Sequence, residues 1–423
     1  MTQPGSLTGR VHVVGAGLAG LAAALSLSRA GRSVVVHEAA GQAGGRCRSY
    51  FDRTLGCRID NGNHLLLASN EAALDYLAET GATTSLTGPV RPEFAFHDLA
   101  VGHTWSVRPN PGRIAWWILA RRRRVPGSGP LDYLRALRLL VARREATVMD
   151  VLGPGLLMER LWRPLTVAAL NAEPEVAAAS LLLAVLRKSL GRGGRWCRPL
   201  VVRDGLAESF VDPALATLER RGVAVAFGRR LRAIGLQGDR AASLDFGEVS
   251  VELGPADGVV LAVPPMAAEA LLPGLVVPRD SAAIVNAHFL LDRPAALPGG
   301  APFVGLLGGT AQWLFLRGRI ASVTVSAADR LAEEPADALL ALLWRDTAAA
   351  LGTPDAALPP GRIVKERRAT FRQTPAEAAR RPPAGTVWRN LALAGDWTDT
   401  GLPATIEGAI RSGRAAADLL TER

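Results

Sequence analysis

The chain has 423 residues, 48% of them hydrophobic and 21% charged, with a formal net charge of +10. That length can bury the cores of two domains, yet no stretch reaches the ~18 consecutive apolar residues of a membrane span. Lysine occurs only at Lys188 and Lys365, so the positive charge is almost all arginine, and Cys47, Cys57 and Cys197 make no C-x-x-C pair. A disulfide framework and a zinc site are excluded on that pattern, no other metal site is expected, and the arginine bias is no sign of a nucleic-acid partner.

The apolar run from Val11 to Leu27 carries Gly15, Gly17 and Gly20 at regular spacing and is followed by Arg29 and Arg32, which reads as strand–turn–helix rather than a signal peptide. The protein is therefore expected in the cytoplasm. Residues 11–15 predict a buried strand, 18–30 a helix closed by Gly31, and 33–37 a second β-branched strand ending at Glu38. From about Glu71 to Lys188 the pattern predicts mainly helix, broken by Pro/Gly clusters near 109–112 and 125–130. Short β-type runs return at 200–203 and 222–263, the last stopped by Pro264-Pro265. Further strand-like runs lie in 281–326, a helix at 328–351, a final strand at 391–395, and a helix from about Thr405 to Leu420. This order predicts an α/β fold: a Rossmann-like nucleotide-binding domain from residues 1–75, 197–265 and 386–423. An α+β second domain is inserted as residues 76–196 and 266–385.

Gly15-Ala16-Gly17-Leu18-Ala19-Gly20 is a G-x-G-x-x-G directly between strand and helix. The first glycine permits the tight turn, the second lets a pyrophosphate approach the backbone, and the third allows close helix–strand packing. The helix start offers unpaired N–H groups at Leu18 and Ala19 to phosphate. Glu38, followed by Ala39, ends the second strand 18 positions after Gly20, where a carboxylate would meet a ribose hydroxyl and disfavour a 2′-phosphate.

That unit alone does not separate FAD from NAD. The following Gly41-Gln42-Ala43-Gly44-Gly45-Arg46-Cys47-Arg48-Ser49 resembles the G-G-R-x-x-[ST] extension of the flavin amine oxidase and phytoene desaturase superfamily. The resemblance implies that Gly44, Gly45 and Arg46 sit against the pyrophosphate and ribitol of FAD. Far along the chain, Gly395-Asp396 ends a strand and Thr405-Ile406 opens a helix. A carboxylate there can accept from a ribitol hydroxyl, and the helix N–H groups can stabilise charge near the flavin N1–C2 oxygen region. No cysteine lies nearby, so the flavin is expected to be bound non-covalently.

Three further stretches narrow the resemblance: Asp60-Asn61-Gly62-Asn63-His64, Trp162-Arg163-Pro164-Leu165 with Ala169-Leu170-Asn171, and Gly395 through Gly408. With them the chain resembles the squalene-associated FAD-dependent desaturases, the hydroxysqualene dehydroxylase family, over nearly its whole length. That family usually shows D-N-G-Q-H, where this chain has the shorter amide Asn63. The resemblance implies reductive dehydroxylation of hydroxysqualene to squalene in hopanoid biosynthesis, with Asn61, Gly62 and Asn63 at the cofactor. His64 and Asp60 are the candidate catalytic polar groups, His64 as acid or orienter of the leaving hydroxyl. The nearest rival is a carotenoid-type desaturase or isomerase; an amine oxidase and a non-catalytic isoprenoid or flavin carrier stand further off. An amine oxidase would need a lysine near the flavin, a place only Lys365 could fill.

Residues 113–124, RIAWWILARRRR, set Trp116 and Trp117 beside Arg121–Arg124. This composition predicts a membrane-docking helix with its cations against anionic headgroups. The expectation is a peripheral protein on the inner face of the cell membrane, with an isoprenoid substrate and with contact to upstream squalene-pathway enzymes.

Overall fold

The computed structural model describes residues 9–297 and 300–421; the parts of the expected domains at 1–8, 298–299 and 422–423 lie outside the described residues. A five-stranded, all-parallel sheet runs in the order Ala224–Ala226, Ser33–His37, Arg10–Val14, Gly258–Leu261, Leu391–Leu393. Its strands read as continuous apolar runs because both faces are covered. Val11, Val13, Val34, Val36 and Val260 face the helices Leu18–Arg29 and Ile406–Thr421. Val14, Val259, Leu261 and Leu393 face the other way, toward Leu244 and Phe246 of a three-stranded antiparallel meander.

The helices Leu18–Arg29 and Ile406–Thr421, drawn from opposite ends of the chain, pack backbone to backbone. A Cβ added to Gly413 would overlap the Ala19 carbonyl oxygen. Only glycine permits this approach, and it brings the starts of both helices to one edge of the sheet.

The inserted domain is built on a seven-stranded sheet, ordered Gly361–Phe371, Ser281–Leu290, Ile320–Val325, Trp313–Arg317, Phe303–Leu307, Phe94–Asp98, His103–Val107. All neighbours are antiparallel except Phe303–Leu307 with Phe94–Asp98. Strand alternation sorts its side chains. Val285, Ala287, Phe289 and Val323 pack on the helix Ala336–Ala350. The opposite face carries Phe94, Phe96, Phe303 and Trp313 against a helical layer over residues 117–186, with Asn286, His288, Ser322 and Thr324 beside them in register.

Two expectations need correction. The stretch from Glu71 to Lys188 is not mainly helical in its first third, since Phe94–Asp98 and His103–Val107 form a hairpin on the sheet edge. Its pairing partner, Phe303–Leu307, lies some 200 residues on, so no local window contains the reason for it. Nor is 113–124 one helix. It forms two 3-10 turns, Trp116–Leu119 and Arg121–Arg123. The Asn110 amide takes over the backbone there, donating to Gly112 and Ile114 carbonyls and accepting from Trp117 N–H. The two tryptophans part company: Trp117 is buried edge-on against Tyr133, ring centroids 5.1 Å apart, and Trp116 is exposed.

Gly413→Val should force the two helices apart and destabilise the fold by about 1–3 kcal/mol, the usual cost of overpacking a tight contact. Thermal melting and the flavin-to-protein ratio after gel filtration should fall together; an unchanged melt would show the contact to be slack.

Candidate active site

The G-x-G-x-x-G turn and the following G-G-R turn lie back to back. Gly44 N–H donates to Ala16 O at 2.8 Å, Gly17 and Gly44 form a parallel bridge, and a Cβ on Gly45 would lie 3.4 Å from Gly17 Cα. Gly20 packs so close to Gly15 that a Cβ would overlap its carbonyl oxygen. Gly17 caps the helix without any side-chain bond, so the first-turn N–H groups at Leu18, Ala19 and Gly20 have no helical acceptor. Glu38 fixes the rim: its carboxylate accepts from Ala16 N–H at 2.7 Å and Ala40 N–H at 2.8 Å, with Ala39 exposed beside it.

Arg46 reaches across the molecule. Its guanidinium donates to Asp396 Oδ1 and to the Ala369 carbonyl, each at 2.6 Å. The Asp396 charge raises the Arg46 pKa above its ordinary value. The loop bearing Asp396 is clasped by buried Arg381, which donates to the carbonyls of Asp396 (3.1 Å), Thr398 (2.5 Å) and Leu402 (2.7 Å). Gly395 leaves room for the Trp397 indole, which a Cβ would overlap. Thr405 Oγ1 accepts from Gly408 N–H at 3.1 Å and so caps the helix that begins at Ile406.

The segment from Asp60 to Leu65 joins this cradle to the inserted domain. Asn61 Nδ2 donates to Glu366 Oε2 (2.9 Å) and to Arg46 O (3.3 Å). Gly62 passes against Asn286, whose Nδ2 would lie 3.1 Å from an added Cβ. Asn63 Nδ2 donates to Thr324 Oγ1 at 3.0 Å, and that hydroxyl donates to Asn286 Oδ1 at 2.8 Å. The short Asn63 side chain is thus anchored on the sheet. The Asp60 carboxylate is fully committed: it accepts from Ser49 Oγ (2.6 Å), Leu206 N–H (2.9 Å) and Arg317 Nη1 (2.7 Å). His64 is half-buried and makes no hydrogen bond among the described residues. Burial lowers its pKa below 6.5, Asp60 opposing the shift and Arg46 adding to it.

Beyond His64, Leu65 packs on the apolar cluster that includes Val201, Phe303 and Trp313; Phe94, Phe303, Trp313 and Phe315 stand together on the sheet, neighbouring rings 5.9–6.5 Å apart. The chain's low aromatic content therefore hides a local aromatic wall, assembled by register rather than by any sequence cluster. Lys365 is turned away from Glu366 and the site. Lys365 Nζ donates to the Glu334 carbonyl, on the opposite side of its strand from Glu366, and Lys188 lies 3.9 Å from Glu407. Among the described residues no group of His, Cys, Asp or Glu could hold a metal. Cys47, beside the glycine turns, is buried and its thiol is pushed up by burial.

Glu366, Asn286, Thr324, Arg317 and Arg381 escaped the sequence reading. For Asn286 and His288 there was a signal, two polar residues spaced i, i+2 in an apolar strand; the others had none. His288, bonded to Ser322 Oγ at 2.7 Å and pushed down to about 4 by burial, stays neutral inside the sheet.

The donor set fits a flavin dinucleotide. A long helix N-terminus with glycine-only approach suits a pyrophosphate, and a carboxylate–arginine pair with a second capped helix start suits a ribitol and a ring that gains negative charge. The comparisons with known proteins agree. The flavin containing amine oxidoreductase family matches residues 18–421. A hydroxysqualene dehydroxylase from Rhodopseudomonas palustris is 50% identical over 97% of this chain and 98% of its own length. One from Sinorhizobium fredii is 46% identical over 97% of each. In fold, the chain is similar to cyclohexylamine oxidase from Brevibacterium oxydans, with a TM-score of 0.70 at 17% identity over 98% of each chain. The chain is an FAD-dependent oxidoreductase of the flavin containing amine oxidoreductase family and, within it, belongs to the hydroxysqualene dehydroxylases.

Proposed function

We propose that this chain reduces hydroxysqualene to squalene. What supports the reading most is the segment from Asn61 to Leu65, which links the Arg46 turn to the apolar cluster of the inserted domain and carries one imidazole that no protein group holds among the described residues. The relatives' name supplies the substrate. Bound in reduced form, FAD supplies the hydride that replaces the hydroxyl, so that with one proton the oxygen leaves as water.

The chain's own residues do the rest. Gly15, Gly17, Gly20, Gly44 and Gly45, with the N–H groups of Leu18 and Ala19, hold the pyrophosphate, and Glu38 with Ala39 meets the adenosine ribose. Arg46, Asn61, Gly62, Asn63, Gly395, Asp396, Thr405 and Ile406 hold the flavin end. His64 gives a proton to the substrate's hydroxyl oxygen. Its lowered pKa makes the imidazolium a stronger acid than an exposed histidine, which suits a poor leaving group. Asp60, occupied on both oxygens, acts through His64 as a positioning residue, its negative charge favouring the protonated ring. Leu65, Phe94 and Phe315 exclude water, which would otherwise capture an allylic cation and return the alcohol.

We place the protein at the inner face of the cell membrane, taking its C30 substrate from the bilayer and from neighbouring squalene-pathway enzymes. No helix among the described residues is long and apolar enough to cross a membrane.

Anaerobic protein whose flavin has been reduced chemically should be reoxidised by hydroxysqualene, with stoichiometric squalene in the extract. Reduced flavin that persists would turn the reading toward a desaturase working with oxidised flavin. The pH profile tests His64. The imidazolium exists only below its lowered pKa, so turnover should climb as pH falls below about 6.5 and be lost as pH rises. His64→Ala should be at least about a hundredfold slower, lack this limb, and keep its FAD. Asp60→Asn removes the charge that raises the His64 pKa, and should shift the limb to lower pH. A limb that stays in place in folded, flavin-loaded Asp60→Asn would remove Asp60 from the mechanism.

A further inference from the structure

The surface around residues 113–144 holds nine arginines against one carboxylate, Asp132, with Glu145 at its edge. Asp132 is itself used at a helix start, accepting from Gly129 N–H at 2.7 Å. Most of the chain's net positive charge is therefore concentrated here, and the same surface exposes large apolar side chains.

The segment Pro130–Leu134 is a short α-helix that runs directly into a 3-10 helix, Arg135–Val141. A 3-10 helix has three residues per turn, so positions three apart eclipse one another. The sequence has that period. Tyr133, Ala136 and Leu139 form one row, turned inward: Tyr133 is 7% and Leu139 2% exposed. Leu131, Leu134, Leu137 and Leu140 form a second, between 48% and 76% exposed. Arg135 and Arg138 lie in the third, both exposed. An α-helix, at about 100° per residue, would swing the four leucines through roughly half a turn. The tighter winding keeps them in a line, flanked by cations.

The neighbouring turns add exposed Ile114, Trp116 and Leu119. Arg121 and Arg122 there are exposed, as Arg135 is, and Arg135 Nη1 donates to the Pro154 carbonyl at 3.3 Å; the other two arginines of the run are engaged. Arg124 Nη1 donates to the Ile118 carbonyl at 2.7 Å, and Arg123 donates to the Arg108 carbonyl while its guanidinium stacks on Trp116 at 4.7 Å.

We infer that Pro130–Val141 is the membrane-docking element of this protein. The leucine row enters the acyl boundary of an anionic bilayer, and Arg135 and Arg138, with Arg143 and Arg144 beyond, meet the lipid phosphates. Nucleic acid or an acidic protein would satisfy the arginines and leave four leucines in water, so lipid is the partner that uses both rows. The inference rests on the reading of a bilayer-borne substrate and moves the docking surface from 113–124 to the adjoining segment.

The test is co-sedimentation of the flavin-loaded full chain with phosphatidylglycerol/phosphatidylcholine vesicles and with pure phosphatidylcholine vesicles. Wild type should pellet with the anionic vesicles. The combined variant Leu131→Ser, Leu134→Ser, Leu137→Ser, Leu140→Ser should lose at least about tenfold in apparent affinity with its flavin content intact, and Arg121→Ser, Arg122→Ser should lose far less. Wild-type binding by the leucine variant, or an equal loss from the Arg121/Arg122 variant, would overturn the assignment. Should the fourfold variant misfold, an environment-sensitive dye on Leu137→Cys in a Cys57→Ser background decides: its emission shifts to the blue on anionic vesicles if the row inserts, and stays put if it does not. Turnover separates the two readings. The leucine variant should process detergent-dispersed hydroxysqualene at the wild-type rate and vesicle-borne hydroxysqualene at least about tenfold more slowly. If wild type fails in detergent, the substrate is wrong, and vesicle binding still decides the docking element.

Discussion

The ion pair between Arg46 and Asp396 joins residues 350 positions apart and makes the two ends of the chain into one site. Its geometry explains how it can be both stable and useful. Asp396 is buried, yet the Arg46 side chain remains 44% exposed, so the pair escapes much of the desolvation that makes fully buried ion pairs costly. Two of the five guanidinium N–H donors are spent, on Asp396 and on the Ala369 carbonyl; the others remain for an anionic ligand. The pair also binds the inserted domain to the cradle, because Ala369 belongs to the edge strand of the seven-stranded sheet. Arg381 stiffens the far side by gathering three loop carbonyls, which keeps Asp396 from relaxing away from its partner.

How much of this could be read from the sequence depends on whether a feature is local. The first βαβ unit is local: its glycines, β-branched strands and terminal Glu38 all lie within thirty residues, and the strand–helix–strand they indicate is present. The glycine turn after it and the Gly395–Ile406 stretch are likewise contiguous motifs. The groups that complete the site are not. Glu366, Asn286, Thr324 and Arg317 arrive from four strands whose order no window of sequence contains. The hairpin at 94–107 was missed for the same reason. The missing helix at 113–124 is of another kind. Tryptophan and arginine composition indicated an interfacial element, but Asn110 diverts the backbone hydrogen bonds there, and composition is blind to that.

Fold alone would have been a poor guide to chemistry. A cyclohexylamine oxidase superposes on this chain across almost its full length, yet one scaffold can host quite different reactions. In this chain the polar groups nearest the inserted sheet lie in the segment from Asp60 to Leu65. Lys365 donates to the Glu334 carbonyl, on the other side of its strand from Glu366. The segment from Asp60 holds an imidazole without a hydrogen-bond partner among the described residues and a buried carboxylate held by three donors, and its Leu65 packs on the apolar cluster that includes Phe303 and Trp313. Such a setting suits removal of a hydroxyl from a long hydrocarbon, where one proton must be delivered and further water kept out.

The wall and the proposed docking segment share one core. Tyr133 and Leu139, the inward row of Pro130–Val141, belong to the same buried cluster as Phe303 and Trp313 on the sheet face. Arg135–Val141 packs on the helices Val148–Leu152 and Ala179–Lys188 of the helical layer, with the leucine row on its outside. A helix packed on a rigid core cannot present a continuous leucine line outward and fill the core inward unless its repeat matches both demands. The three-residue repeat of the 3-10 winding does so, at the cost of poorer hydrogen-bond geometry than an α-helix. That cost is what one expects of a segment shaped for contact on two sides, since an α-helix would have been the easier structure for a sequence this rich in leucine and arginine.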